Sequence, residues 1–353
     1  MSQEKSTVGW DAIDHALTTI YGEQEPAHFG TLLSYALGGN DPLDGISVYK
    51  SETPVPHWHF VTYGFSELYD KELEDPEESG YGFELTFRLT RNNDEMEPPA
   101  WALNLLQNMG RYVFNSGNVF RNGDYLDANG PICLGADTSL TALAFVSDPQ
   151  LQSMDTPNGH VQFLQMVGIT NDELEAMQTW NTLGVLASGE EQIPSYVTDL
   201  NRKSLLSDDS IADAIQSGME HEGSNTGILF VDQLGWSTAK KGLFRKPVST
   251  LTLGAKQAEI IGKLLQGRLL KEKELTLSGP DISIQLKPME QTTFVSEGDS
   301  IKLFLDERTV KELSKLLLPK ERTFKLASAD WLSVQVLKTT ITDDEGTIVK
   351  VIG

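Results

Sequence analysis

The sequence is poor in the features that mark several common classes of protein. It contains a single cysteine, Cys133, so an intramolecular disulfide is excluded. No apolar run reaches the roughly 20 residues that a membrane-spanning helix needs. The first residues, MSQEKSTVGWD, show no basic segment followed by an apolar core, which argues against a signal peptide. Together these absences predict a cytoplasmic protein that does not enter a membrane.

Short motifs of the common enzyme and metal-binding classes are also missing. There is no GxSxG elbow, P-loop, GxGxxG fingerprint, kinase motif set, HExxH, CxxC or EF-hand loop. Two histidines, His57 and His59, have the i, i+2 spacing that puts both on one face of a strand. No further ligands stand at a suitable spacing, so hydrogen-bonded strand histidines are favoured over a metal site, although a His/His/carboxylate site stays open. We expect neither a metal nor an organic cofactor.

Other reactive side chains have ordinary explanations. Cys133 lies among small and apolar neighbours in GPICLGAD, which favours a buried, inert thiol over a nucleophile. Asp124 and Asp127 flank Tyr125 in GDYLD, where they are either acid/base groups or hydrophilic turn residues. We therefore predict no catalytic residues. An enzyme with a non-standard carboxylate or histidine site remains the alternative, and a scaffold protein is a third.

The charge is divided unequally along the chain. Residues 1–230 contain 9 Lys and Arg against 35 Asp and Glu, whereas residues 231–353 contain 19 against 16. This break predicts an N-terminal domain over 1–230, a linker over 231–250 and a C-terminal domain over 251–353. The acidic part repels phosphates, so nucleic acid is not expected as a partner. It either attracts a basic protein or simply keeps the chain soluble.

Local patterns predict the main elements. An apolar stripe after two prolines predicts a helix over about 99–115, and VPHWHFVTY predicts a strand over 57–63. Alternation in GFELTFRLT predicts a half-buried strand over 82–90 with one polar face. After residue 231 strands dominate, with one clear helix at about 307–317. The fold class is predicted as α+β, with an N-terminal mixed sheet flanked by helices and a smaller, strand-rich C-terminal α+β domain.

An ordered set of strings resembles one family. Between residues 37 and 227 the chain reads LGGNDPLDGISVY, PHWHFVTYGFSELY, GYGFELTFRL, RYVFNSGNVFRNGD, VQFLQMVGIT, ELEAMQTWN, VTDLNR and GSNTG. In this order they resemble the Suppressor of fused family, and the likeness extends over about residues 9–340. The resemblance implies a two-lobed binding protein and not an enzyme. Animal members clamp a short peptide of Gli-type transcription factors between the lobes, as an added strand.

The setting implied by the resemblance depends on an insertion. Animal members carry a long disordered insertion in the C-terminal half, and here only about residues 236–250 correspond to it. Bacterial proteins with this domain resemble immunity proteins that neutralise toxins, so a bacterial setting is favoured. The expected partner is another protein, bound through an extended segment of basic character, or a toxin.

The resemblance also implies partner-binding residues. Tyr112 matches the tyrosine of RYVF, and Asp124 matches the aspartate of the animal pattern. Ile228 and Phe230 match the segment after GSN. The animal pattern has a histidine where this chain has Asn129, which puts recognition of the same peptide in question. The alternatives are a core helix position for Tyr112 and an ordinary buried strand for Ile228 and Phe230.

Overall fold

The structure, a computed structural model, describes residues 6–31, 35, 38–69, 77–239, 247–342 and 346–353. These residues form two compact units, each with its own apolar core. The first contains the described residues up to Leu174 together with Leu186–Ile211. The second contains Glu175–Val185 and Ala212–Gly353. Two separate stretches of chain therefore build each unit.

The first unit is organised around one mixed sheet. Its strands are β1 (Ala27–Gly30), β2 (Gly45–Ser51), β3 (His57–Tyr63), β4 (Glu78–Thr90), β5 (Tyr125–Asp127), β6 (Leu140–Ser147), β7 (Met154–Thr156) and β8 (Gly159–Thr170). They lie in the order β1-β2-β3-β4-β8-β6-β5, and β7 pairs with β8. β4 and β8 are parallel, and the other pairs are antiparallel. The sheet is therefore mixed, as predicted.

The described part of residues 6–222 contains five α-helices. They are α1 (Val8–Tyr21), α2 (Ala100–Ser116), α3 (Asn171–Thr179), α4 (Thr182–Ser188) and α5 (Asp209–Glu222). Val61 packs against α1, whereas the adjacent Phe60 belongs to the cluster that α2 covers. Successive side chains of a strand point to opposite faces, so α1 and α2 lie on opposite sides of the sheet. Gly117 ends α2 with a φ of 71°, which glycine adopts without steric cost, and the predicted helix is confirmed.

The strand β4 differs from its predicted environment. Its alternation predicted a half-buried strand, but Glu84, Thr86 and Arg88 are completely buried. Leu85 and Phe87 on the other face pack into the core beneath α2. The prediction is wrong because β4 is a central strand of a sheet covered on both sides. The alternation indicates which face carries polar side chains, and it does not indicate which face is exposed to solvent.

The second unit combines two larger sheets, a hairpin and helices. Its strands are β9 (Ile228–Phe230), β10 (Leu234–Ala239), β11 (Val248–Gly254), β12 (Leu275–Ser278), β13 (Ser283–Pro288), β14 (Thr293–Glu297), β15 (Ser300–Leu305), β16 (Arg322–Lys325), β17 (Leu332–Leu337), β18 (Thr339–Thr342) and β19 (Ile348–Ile352). The described strands are ordered β10-β11-β17-β16 and β14-β15-β13-β12-β9, with β18 and β19 forming the hairpin. α6 (Ala255–Arg268) and α7 (Glu307–Leu316) pack into the shared core. The predicted α+β fold class is confirmed.

One helix of this unit was not expected from the sequence. α7 confirms the helix predicted at 307–317, but α6 occupies a stretch in which strands were expected to dominate. Its buried Ala258 and Leu265 have helical spacing, so the signal was present. Gly262 lowers helix propensity but permits close packing, since a Cβ there would lie 3.1 Å from the Ser314 carbonyl oxygen. Packing between α6 and α7 overrides the local propensity.

Two paired strands occupy much of the stretch predicted as a linker. β10 runs antiparallel to β11, with Ala239 opposite Val248. Residues 240–246, which contain most of the basic stretch, lie outside the described residues. The proposed domain boundaries at 230 and 251 stay a prediction.

Candidate functional site

His57 and His59 lie on the same buried face of β3. Nδ1 of His57 lies 2.7 Å from the Val55 carbonyl oxygen, and Nδ1 of His59 lies 2.7 Å from the Tyr21 hydroxyl of α1. They are hydrogen-bonded strand histidines, the interpretation that the sequence favoured. In the part of the chain that the structure describes, no group of three or more His, Cys, Asp or Glu side chains is arranged to hold a metal ion. Freedom from metal stays a prediction.

Beside His59 lies a buried ion pair between β4 and the end of β6. Nη1 and Nη2 of Arg88 donate to the two carboxylate oxygens of Asp148 at 2.6 and 3.0 Å. Thr86 donates to the same carboxylate at 2.6 Å, and Gln150 and Gln165 accept from the guanidinium. Sequence reasoning missed this pair. Its one local signal was an arginine on the polar face of a strand.

Burial and charge set the protonation states here. Burial is the main cause that lowers the pKa of His59 to about 4, and the charge of Arg88 acts in the same direction. Burial alone would raise the pKa of Asp148, but the neighbouring His59, whose Nε2 lies 3.5 Å from the carboxylate, and the Arg88 charge hold it well below its usual range. At neutral pH the cluster therefore holds a neutral imidazole beside a paired carboxylate and guanidinium.

Glu84 is a second buried titratable group, on the same face of β4. Its Oε1 accepts from the backbone N–H groups of Gly64 and Ser66 at 3.0 and 2.9 Å, and from the Ser66 hydroxyl at 2.6 Å. Its Oε2 accepts from the Thr62 hydroxyl at 2.6 Å. Burial raises its pKa to about 7 although these hydrogen bonds act in the opposite direction. The carboxyl group thus fixes the turn that follows β3.

These buried groups are poorly placed for catalysis. Arg88, His59 and Glu84 have no exposed surface. A general acid or base must come within hydrogen-bond reach of its substrate. The geometry supports a structural role for the polar face, and the candidate binding residues lie elsewhere.

Tyr112, the first predicted binding residue, lies half-buried on α2. Its ring stacks on Phe120 with centroids 5.6 Å apart, and Phe120 stacks on Phe145 at 3.9 Å. Its hydroxyl lies 2.9 Å from Nδ2 of Asn118, which donates to it. Tyr112 therefore has a packed ring and a hydroxyl that contacts an exposed residue, Asn118, of the same unit.

Asp124 lies in the same region of the first unit. Its backbone carbonyl accepts from the Phe145 N–H at 2.9 Å. Phe145 therefore contacts Asp124 directly and Tyr112 through Phe120. Its Oδ2 accepts from the Arg121 N–H at 2.7 Å, which is the geometry of a turn residue. The side chain is half-buried immediately before β5. Tyr112 and Asp124 are thus linked through Phe120 and Phe145 within the first unit.

Ile228 and Phe230 lie in the short strand β9 of the second unit. They are 58% and 76% exposed, whereas Leu229 between them is buried. An ordinary buried strand is therefore wrong for these two side chains. Both large apolar groups stand on one exposed face, because alternate residues of a strand share a face.

The open edge of β9 is the feature that sequence periodicity could not reveal. β9 is the last strand of its sheet among the described residues and pairs in parallel with β12. Thr276 donates to the Gly227 carbonyl, and Val231 donates to the Ser278 carbonyl. Alternate residues of a parallel strand bond to the same neighbour, so the backbone polar groups of residues 228 and 230 point away from β12. β5 is likewise last in the order of its own sheet.

Other sequence predictions concern Cys133, Asp127 and the membrane. Cys133 is a free, buried cysteine, and burial raises the pKa of its thiol, so the prediction of an inert cysteine agrees with its surroundings. Asp127 Oδ1 accepts from the Asn129 N–H at 2.8 Å, a turn contact. Across the described ranges, no helix has the length and apolar character needed to cross a membrane.

Comparison with known proteins identifies relatives. Residues 39–203 match the family model described as Suppressor of fused protein (SUFU). The chain is 35% identical over 238 residues to the Suppressor of fused homologs of Homo sapiens and Mus musculus, covering 62% of this chain and 48% of those relatives. It therefore spans about half the length of these relatives.

Solved structures show the same fold. The crystal structure of Drosophila Suppressor of Fused matches with a TM-score of 0.78 at 24% identity, covering 95% of this chain and 99% of that chain. A chain of the Sufu-Fu complex crystal structure is 34% identical, with a TM-score of 0.57 over 61% of this chain and 98% of that chain.

The fold defines a class of mixed α/β proteins built from two compact units that expose strand edges. Within that class, this chain belongs to the Suppressor of fused family. The resemblance noted in the sequence is confirmed.

Proposed function

We propose that this chain is a non-catalytic protein-binding protein that holds an extended segment of a partner protein. The open edge of β9 carries the proposal, because its outward backbone groups and two exposed apolar side chains are what an added strand requires. In strand addition, backbone hydrogen bonds give affinity and side-chain contacts give specificity. Ile228 and Phe230 supply those contacts.

The first unit supplies a second surface in this proposal. Tyr112 offers a ring and a hydroxyl, Asp124 offers a carboxylate, and β5 ends its sheet directly after Asp124. We propose that this surface also contacts the partner protein. The structure supports each of these two surfaces separately.

The expected partner segment is basic. The acidic residues 1–230 attract a positively charged chain at long range and speed its encounter. Asp124 then pairs with a lysine or arginine of the segment, and a desolvated charge pair of this kind is worth more than an exposed one.

The biological form of the proposal is sequestration. A relative was solved in the Sufu-Fu complex, which supports protein binding as the activity of this chain. For a bacterial setting we propose that the sequestered partner is a toxin and that the chain acts as its immunity protein in the cytoplasm. Co-expression with the product of a neighbouring toxin gene tests this, because only an immunity protein restores growth.

The experiment that tests the binding surfaces starts with affinity purification of the partner on the wild-type chain. Calorimetry then compares the purified partner's affinity for the wild type, Phe230→Ala and Asp124→Asn. The asparagine keeps the acceptor for Arg121 and removes only the charge. We expect each change to weaken binding by about 30-fold, the effect of about 2 kcal/mol at a hot spot.

A matched control is Val349→Ala, which removes an apolar side chain that is 67% exposed on β19. Its affinity should equal that of the wild type. Unchanged affinity in both Phe230→Ala and Asp124→Asn would place the partner elsewhere on the surface.

A further inference from the structure

Three residues shortly before β9 are hydrogen-bonded to other elements of the second unit. Gly223, Ser224 and Asn225, here called the anchor, lie between the junction of α3 with α4 and the end of α6. Ser224 is completely buried. Only Thr226 and Gly227 separate the anchor from β9.

Ser224 makes contacts in three directions. Its N–H donates to the Gly267 carbonyl at 3.0 Å, and its hydroxyl donates to the Gln178 carbonyl at 2.6 Å. The same hydroxyl accepts from the Thr226 N–H at 2.9 Å. Its carbonyl accepts from Nη1 of Arg268 at 2.8 Å. One small side chain therefore joins the end of α3 to Thr226, two residues before β9.

Asn225 extends the same attachment. Its N–H donates to the Trp180 carbonyl at 2.8 Å. The Trp180 ring lies so close to Gly184 and Gly218 that a Cβ at either glycine would come within 2.6 and 2.3 Å of it. Trp180 Nε1 also donates to Glu222 at 2.7 Å. The junction that receives the anchor is thus itself tightly packed.

A pair of glycines makes this approach possible. Gly223 has a φ of 66°, and a Cβ there would lie 2.2 Å from the Gly267 carbonyl oxygen. A Cβ on Gly267 would lie 3.3 Å from the Ser224 nitrogen, which is tight but less severe. Only glycine at 223 allows the two backbones to meet. The contact therefore depends on both positions.

We propose that Ser224 is a positioning residue for the open edge of β9, acting through the anchor. β9 has three residues and, among the described strands, pairs with β12 alone, so its own backbone hydrogen bonds hold it weakly. The hydrogen bonds of the anchor fix the start of the strand and present residues 228 and 230 in a constant register. The significance of that edge rests on the proposed function, but the positioning itself is a property of the free protein.

The test is amide hydrogen exchange in the free, full-length protein, comparing Ser224→Ala with the wild type. Leu229 and Val231 report on β9, and Leu303 reports on β15 in the same sheet. We expect exchange at Leu229 and Val231 to rise at least tenfold, with Leu303 unchanged. Local opening of an edge element gives this selective pattern, whereas general destabilisation raises exchange everywhere.

The matched control is Ser333→Ala, which removes another buried serine hydroxyl that donates to a backbone carbonyl, that of Phe324. It should leave Leu229 unchanged. Gly267→Ala provides a milder second disturbance of the anchor if Ser224→Ala does not fold. No selective rise at Leu229 in the folded variants, or an equal rise at Leu303, would overturn the inference.

A separate variant, Phe230→Ala, tests the proposed function. Phe230 takes no part in the anchor, so Phe230→Ala changes partner affinity without raising exchange at Leu229. Normal partner affinity in Phe230→Ala contradicts the proposed function and leaves the exchange result for Ser224→Ala valid.

Discussion

Arg88 and Asp148 face each other inside the first unit, with the guanidinium and the carboxylate joined by hydrogen bonds of 2.6 and 3.0 Å. Neither side chain has any exposed surface. Burying an unpaired charge is costly, so a charge in such a place needs an opposite charge beside it. Each of the two side chains therefore allows the other to be buried. Together they join strands that are distant in the sequence.

We predict that Asp148→Asn lowers the free energy of unfolding by about 3–5 kcal/mol, because it leaves the Arg88 charge buried without a counter-ion. Urea unfolding at pH 7 measures the change. Asp41→Asn is the control, since Asp41 pairs with Arg111 at the surface and should cost less than about 1 kcal/mol. Equal effects of the two substitutions would contradict a buried, functional ion pair.

His59 should make the protein less stable as the pH falls. Its pKa is about 4 in the folded chain against 6.5 for an ordinary histidine, so the unfolded chain binds this proton first. The contribution is present above pH 6.5 and is lost as the pH falls toward 4, by about 3 kcal/mol in total. Urea unfolding of Glu84→Gln between these limits isolates the effect, and a flat profile would count against it.

Glu84 should act in the opposite direction. Its pKa is about 7 in the folded chain against an ordinary value of 4.5, so the folded chain keeps this proton longer as the pH rises. The contribution is present below pH 4.5 and is lost as the pH rises through 7. His59→Gln should therefore lose stability between pH 5 and 7. In the wild type the effects of His59 and Glu84 on stability offset each other. If folded His59→Gln instead gains stability between pH 5 and 7, the assignment to Glu84 is wrong.

Limited trypsin digestion should cut first within residues 240–246, where Lys240, Lys241, Arg245 and Lys246 stand without an acidic neighbour. The two products should elute together under native conditions, because β10 and β11 on either side of the cut are paired. Mass spectrometry of early time points identifies the site. First cleavage within residues 60–200 would speak against preferential cleavage in the basic stretch.

Purified protein should contain no stoichiometric metal. Asp148, the carboxylate beside His59, is already neutralised by Arg88, so it is a poor third ligand for a cation. Elemental analysis after purification without chelators provides the measurement. One zinc ion per chain that disappears in His57→Ala would disprove the expectation.

Periodicity predicted the helices α2 and α7 and the central strands because those segments repeat an apolar pattern over several turns or pairs. It failed for the environment of Glu84 and Arg88, since burial of a polar face depends on α1 and on Asp148, which are remote in sequence. Only the complete sheet reveals that both faces of β4 are covered.

Prediction of the candidate binding residues from the sequence was limited in a similar way. Family resemblance selected Ile228 and Phe230, but a run of apolar residues is equally consistent with a central strand. Their exposure follows from the position of β9 at the end of its sheet, which is decided by pairing with β12 almost fifty residues later. The anchor at Ser224 was invisible for the same reason, because Gln178 and Gly267 approach it from both directions along the chain.

An open strand edge does not distinguish between its proper partner and any other extended chain, including a second copy of itself. The shortness of β9 limits this hazard, but only occupation closes the edge. Under the proposed function, protein made in excess of its partner has exposed edges, and partner abundance affects the solubility and lifetime of that excess as well as the bound fraction.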